Sequence, residues 1–190
     1  EDRQACKQKI YDFNQLPPSR QSKEAPQMIK NIFGKTGENV WVEAPFHCDY
    51  GWNIEVGENF YSNYNLTILD VGKVTCGKNV QIAPNVSIYT AGHPVHPDSR
   101  NSGYEYGIPV TVGDNVWIGG NTVILPGVTV GSNVVIGAGS VVSKDIPDNT
   151  IAAGNPCKVI REITDEDRIY YFKKQKFDDE AWEEVKNKNK

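Results

Sequence analysis

A six-residue beat runs through the C-terminal half of the chain. From Val112 the sequence reads VGDNVW, IGGNTV, ILPGVT, VGSNVV, IGAGSV, VSKDIP, which puts Val112, Ile118, Ile124, Val130, Ile136 and Val142 in one phase. The phase is already present in CGKNVQ and IAPNVS, from Cys76 and Ile82 into Ile88. An α-helix repeats its apolar positions about every 3.6 residues and a half-buried strand every second one, so neither accounts for this period. A fixed period held over consecutive repeats is the mark of a solenoid. Each hexapeptide is read as a short strand and a corner, with the in-phase aliphatic pointing to the axis and the small residue after it letting the backbone turn. Three hexapeptides make a coil. Val112 is therefore expected to stack under Val130, and Ile118 under Ile136, at about the 4.8 Å spacing of neighbouring strands.

Composition agrees with this reading. Ile and Val number 36 against 4 Leu, and β-branched side chains suit a pleated surface better than a helix. The chain has 190 residues, 38% hydrophobic and 23% charged, with a net charge of −4. These values place it among single globular domains, not among disordered or membrane chains. No apolar run approaches the roughly 20 residues that span a bilayer, and the opening EDRQACKQKI is unlike a secretory signal. Cys6, Cys48, Cys76 and Cys157 show no C-x-x-C spacing, so they are expected to be reduced thiols of a cytoplasmic protein. Without a basic block, nucleic acid is not an expected partner.

Three regions follow. Residues 1–36 are polar with apolar residues at helical intervals (Ile10, Phe13, Met28, Ile29, Ile32), interrupted by Pro17 and Pro18 and stopped by Gly34, which predicts two short helices. Residues 37–161 carry the solenoid, with an extruded loop over 91–109 (AGHPVHPDSRNSGYEYGIP) where the phase is lost. A long loop in a tight solenoid usually has a functional reason. Residues 162–190 are charged with spaced aromatics, which suggests a helical tail covering the open end, frayed at its final NKNK.

The segments NYNLTILD, TAGHPVH, NVWIGG, VIGAGSVVSKDIP and AAGNPCKVIR resemble the maltose/galactoside O-acetyltransferases, over about residues 8 to 175. These belong to the hexapeptide-repeat acyltransferases, whose fold is a left-handed parallel β-helix. The handedness comes from the resemblance alone, because general chain physics favours right-handed crossovers. The resemblance implies transfer of an acetyl group from acetyl-CoA to a sugar hydroxyl, in a homotrimer with sites between subunits and no metal.

It also assigns roles. His93 would be the general base, since imidazole titrates in the range needed to take a proton from a hydroxyl. The companion His96 would support the loop. Asn63, Asp49 and Asp70 would contact the acceptor, although Val71 stands where galactoside-type members carry a carboxylate. Trp117 would wall the site, and the Gly120 N–H would hold the thioester oxygen as charge develops. Donor contacts fall on Ala138 and Ser143, placed on successive coils, and on Lys158 and Arg161 where the chain leaves the solenoid. Lys158 replaces a frequent Arg and keeps charge without the bidentate fork. No cysteine or serine is placed like an activated nucleophile, which points to direct attack in a ternary complex. Two rivals keep the fold: a metal-dependent hydratase of the γ-carbonic-anhydrase kind, needing His47, His93 and His96 to converge, and a non-catalytic binding protein.

Overall fold

The computed structural model describes residues 1–188. It opens with the two expected helices, α1 (Asp2–Asn14) and α2 (Pro18–Ile32). Cys6, Ile10 and Phe13 form the buried stripe of α1, and Ala25, Ile29 and Ile32 that of α2, both at the i, i+4, i+7 spacing of one helical face. Pro17 and Pro18 stand at the start of α2, where a missing N–H costs nothing. Gly34 is not a left-handed stop. The helix ends at Ile32 with Phe33 extended, and a Cβ on Gly34 would collide with the Trp52 carbonyl oxygen, so glycine is there for close backbone approach.

The solenoid is a three-faced prism of parallel strands. Face 1 stacks Val40–Val42, Phe60–Ser62, Gln81–Ile82, Trp117–Ile118, Val135–Ile136 and Thr150–Ala153. Face 2 stacks Phe46–Cys48, Leu66–Leu69, Ser87–Tyr89, Val123–Ile124 and Val141–Val142, and face 3 stacks Ile54–Val56, Val74–Cys76, Val110–Val112 and Thr129–Val130. The expected register holds: Val112 pairs with Val130 and Ile118 with Ile136. All six in-phase residues from Val112 to Val142 are buried. A second inward row lies four residues after the in-phase positions, with Val80, Val86, Val116, Val128 and Val134 joined by the buried Thr122 and Ser140, and fills the rest of the axis.

The corners work differently from the sequence expectation. The small residue after the in-phase aliphatic does not turn the chain; it lets coils approach. A Cβ on Gly77 would sit 2.8 Å from the Gly113 carbonyl carbon, and one on Gly113 would sit 2.7 Å from that of Gly131. The turn comes two residues later, where Asn79, Asn85, Asn115, Asn121 and Asn133 hold φ between 56° and 60°. Asparagine tolerates this left-handed region better than any other residue with a branched or long side chain. Along the edge between faces 3 and 1 the asparagines also bond to one another. Nδ2 of each donates to Oδ1 of the next, from Asn39 through Asn59, Asn79, Asn115 and Asn133 to Asn149, at 2.8–3.3 Å.

Both solenoid ends are covered. At the first coil the Asn14 side chain clamps Phe46, donating to its carbonyl and accepting from its N–H, both at 2.9 Å, which satisfies an open strand edge with a side-chain amide. At the last coil the strand Lys158–Glu162 turns back antiparallel onto Thr150–Ala153. The tail after this covering strand ends in the expected helix, Asp179–Lys188, none of whose residues is buried, preceded by a 3-10 turn (Asp165–Ile169) and a small ribbon (Tyr170–Phe172 with Gln175–Lys176). The last two residues of NKNK lie outside the described residues.

Candidate active site

The edge between faces 2 and 3 carries the loop. Residues Ala91–Gly92 pair antiparallel with Tyr106–Gly107, so the extruded segment is a ribbon closed by the short helix α3 (Pro97–Asn101). His96 caps that helix, its Nδ1 accepting from the Asp98 N–H at 3.2 Å, which is the loop-supporting role expected of it. His93 follows the ribbon. Its Nδ1 lies 3.0 Å from the Tyr104 carbonyl oxygen, and a carbonyl only accepts, so Nδ1 carries the proton and Nε2 is left as the acceptor. The ring is 52% exposed.

Directly below on the same edge lie the turns that carry Asp70 and Asp49. Asp70 is 0% exposed. Its Oδ1 accepts from the N–H groups of Asp49 (2.8 Å) and Tyr50 (3.0 Å), and its Oδ2 accepts from that of Gly51 (2.7 Å). Both oxygens are thus consumed by the backbone, and the acceptor contact expected of Asp70 becomes a positioning role for the 49–51 turn. Asp49 is ion-paired with Arg3 of α1. The hydrogen bond to Asp49 raises the Arg3 guanidinium above its ordinary range, and the charge of Glu105 adds to the effect. Arg3 therefore ties the first helix to this edge, between Asp49 and the His93 loop. Sequence reasoning named neither Arg3 nor Glu105. Beside them the Cys6 and Cys48 sulfurs lie 3.6 Å apart, and contact with Cys6 together with burial pushes the Cys48 thiol up. All four cysteines are free.

Asn63, Gly120 and Ala138 lie on the edge between faces 1 and 2. The Asn63 N–H donates to the Ile82 carbonyl, and the Ala83 N–H to that of Ile118, so Asn63 and Gly119 stand two coils apart, about 10 Å. Asn63 does not take the left-handed corner, which falls to Asn65 (φ 62°). Its Oδ1 accepts from the Tyr64 N–H at 2.8 Å, which leaves Nδ2 available to donate. Gly120 gives its carbonyl to the Gly139 N–H at 2.8 Å, while among the described residues its own N–H makes no hydrogen bond. Trp117 stands next to it in an outward row with Gln81 and Tyr61 and is 55% exposed. Ala138 packs on Gly119, whose Cβ would meet the Ala138 nitrogen at 2.5 Å.

Ala138 and Ser143 are not on successive coils. They flank the single strand Val141–Val142, because five residues carry the chain across one face instead of around the prism. Lys158 and Arg161 are exposed on the covering strand. Arg161 is committed to Asp167 through both Nη atoms at 2.7 Å, and this pairing drives the Asp167 carboxyl well below the usual range.

Within one chain the edge that carries His93 and the edge that carries Asn63 and Gly120 stay apart, while Ser143 falls at the far end of the His93 edge. Face 2 separates them, and its strand Leu66–Leu69 of four residues spans about 13 Å. Among the described residues no three His, Cys, Asp or Glu side chains converge as a metal site requires; His47 projects from face 2. No described helix is long and apolar enough to cross a membrane.

Known proteins share this architecture. Residues 109–144 match the family described as bacterial transferase hexapeptide (six repeats), and residues 1–37 match the maltose acetyltransferase hexapeptide capping motif. The galactoside O-acetyltransferase of Escherichia coli K12 is 54% identical over 167 residues, covering 88% of this chain and 82% of that protein. A galactoside acetyltransferase solved in complex with coenzyme A superposes with a TM-score of 0.90 at 53% identity, over 93% of this chain and 88% of that one. A maltose O-acetyltransferase from Clostridium difficile 630 gives 0.84 at 53% identity, over 86% and 87%. The solenoid is thus a left-handed parallel β-helix, and the chain belongs to the maltose/galactoside O-acetyltransferase family of hexapeptide-repeat acyltransferases.

Proposed function

We propose that this enzyme transfers the acetyl group of acetyl-CoA to a sugar hydroxyl, with His93 as general base, in a ternary complex built between two subunits of a homotrimer. The observation that carries the reading is the tautomer of His93: Nδ1 is held by the Tyr104 carbonyl, which leaves Nε2 as the acceptor on a half-exposed ring. A base oriented through its other nitrogen keeps one productive geometry. Nε2 takes the proton of the acceptor hydroxyl as its oxygen attacks the thioester carbonyl carbon. The Gly120 N–H, which has no other acceptor among the described residues, donates to the developing oxyanion. As the carbon–sulfur bond breaks, the imidazolium returns the proton to the departing thiolate.

Asn63 Nδ2 donates to the acceptor, Asp49 contacts it with Arg3 at its back, and Trp117 walls the cleft. Ala138 and Ser143 line the donor groove. Lys158 and Arg161 supply cations for the coenzyme A phosphates. The two edges are a face apart, whereas reacting atoms must come within about 3.5 Å. One subunit's His93 edge therefore meets its neighbour's Asn63 and Gly120 edge, which gives three shared sites. Free, unpaired thiols fit the reducing cytoplasm.

Subunit mixing tests this arrangement. H93A and N63A homotrimers are each expected to lose activity, His93 by 10²–10⁴-fold. Unfolding and refolding them together restores part of the activity, because some interfaces then pair an intact His93 with an intact Asn63. Unchanged turnover in H93A would remove the base, and no recovery on mixing would place the whole site within one chain.

A further inference from the structure

Helix α1 lies along the first strand of face 2 in antiparallel order, fastened at both ends: Asn14 clamps Phe46 and Arg3 pairs with Asp49. Between these ties Cys6 meets Cys48, their sulfurs 3.6 Å apart. Neither thiol takes part in the chemistry proposed above. Bonded sulfurs stand about 2.05 Å apart, so an approach of about 1.5 Å, at a point held on either side, turns this contact into a bond. The other two thiols are placed differently. Cys76 sits in the axis between Val56 and Val112, and Cys157 lies beside Ser140.

Cys6 and Cys48 are also unlike each other. The hydrogen bond from Cys48 lowers the Cys6 thiol below its ordinary range, helped by Lys9 and opposed by burial and by the Asp70 and Asp49 carboxylates. The proton stays on Cys48, whose own thiol is pushed up by Cys6 and by burial. A thiolate beside a thiol is the arrangement in which an oxidised sulfur is captured by its partner. Cys48 is partly exposed, which admits a small oxidant.

We propose that Cys6 and Cys48 are a redox modification site, closed to a disulfide by hydrogen peroxide and reopened by a dithiol, and that closing it slows use of the sugar. The Cys6 thiolate attacks one peroxide oxygen, the O–O bond breaks, and the departing hydroxide takes a proton to become water. The Cys48 sulfur then displaces the hydroxyl of the Cys6 sulfenic acid, which leaves with the Cys48 proton as a second water. Two thiols have lost two electrons and two protons, and one peroxide has become two waters. A dithiol reverses the step by exchange and is itself left oxidised. Transient disulfides of this kind are the ones a reducing compartment permits.

The effect on the sugar runs through Asp49. It follows Cys48 directly, and Arg3 stands one turn before Cys6 on α1, so drawing the sulfurs together shifts the ion pair behind the acceptor contact. This consequence rests on Asp49 contacting the sugar; the disulfide itself does not.

The experiment treats the assembled protein with hydrogen peroxide, removes the excess, and measures acetylated sugar before and after reduction with dithiothreitol. Mass spectrometry of peptides alkylated under denaturing conditions is expected to show Cys6 joined to Cys48, with Cys76 and Cys157 alkylated. kcat/KM for the sugar falls about 10- to 100-fold, the cost of ångström-scale misplacement, while KM for acetyl-CoA is unchanged and reduction restores the rate. The melting temperature at fixed protein concentration rises by several degrees, because the joined positions are 42 residues apart. C6S and C48S keep the activity of the reduced enzyme and show none of these changes. Absence of the joined peptide overturns the proposal. If D49A is impaired with the sugar, a joined peptide without any change in sugar kinetics overturns it as well. If D49A keeps its KM for the sugar, the acceptor reading of Asp49 has failed on its own, and the joined peptide with its melting shift decides the site: present in wild type and absent in C48S supports it, absent from both refutes it.

Discussion

Removing the Asp70 carboxylate separates a residue that holds the site from one that touches substrate. In D70A three backbone N–H groups lose their acceptor, and those of Asp49 and Gly51 lie in fully buried bonds of 2.8 and 2.7 Å. An orphaned buried donor costs about 1–3 kcal/mol, so D70A is expected to lose about 4 kcal/mol. D70N keeps the Oδ1 bonds to Asp49 and Tyr50 but turns an NH2 toward the Gly51 N–H, which predicts a loss of about 2 kcal/mol. Urea unfolding at one fixed protein concentration measures both, because assembly makes apparent stability concentration dependent. Below the transition, acceptor KM rises in both variants as the 49–51 turn loosens, while KM for acetyl-CoA stays put. A D70A enzyme of wild-type stability with lowered kcat/KM for the sugar would refute the positioning role and restore a direct contact.

Other outcomes follow from the same structure. Ile118→Ala removes a fully buried member of the axial stack and is expected to cost about 3 kcal/mol, read by urea unfolding, with KM values unchanged in the folded enzyme. Asp167 holds the Arg161 guanidinium end-on and leaves its Nε edge open, so D167A is expected to raise KM for acetyl-CoA several-fold with kcat unchanged; an unaltered KM would refute the link. Burial pushes the Cys76 thiol up to about 12. A raised folded value means its stabilising contribution is complete below the unfolded thiol's range near 9 and is lost as pH climbs from there toward 12. C76A is expected to show a shallower alkaline decline in melting temperature than wild type.

The solenoid was legible because its signal is local and repeated: Ile118 and Ile136 announce each other by spacing alone. The corner chemistry was half legible. Asparagine recurs in NVW, NTV and NVV, but that Gly77 and Gly113 serve coil-to-coil contact depends on stacking that one hexapeptide does not encode. His93 stood out through its loop and its family motif. Glu105 did not, because only the ribbon pairing brings it beside His93. The backbone bonds of Asp70 were hidden for a similar reason: its partners at 49–51 lie one full coil away in sequence, and an aspartate beside a corner looks the same whether it faces solvent or backbone. The covering strand Lys158–Glu162 falls where the hexapeptide phase has ended, and its antiparallel return is fixed only by its pairing with Thr150–Ala153.

The asparagine chain along the edge between faces 3 and 1 has a direction. Every amide points its NH2 toward the later coil and its oxygen toward the earlier one. Turning one amide over would set two oxygens against each other at one junction and two NH2 groups at the other, so the orientation can reverse only as a whole. Aligned amides also polarise one another, and their dipoles sum along the prism like those of a helix, with the positive end at Asn149. The edge is in effect a polar wire of side chains, and an Asn→Asp change at Asn79 or Asn115 would keep the bond from the earlier coil and set oxygen against oxygen at the junction with the later one.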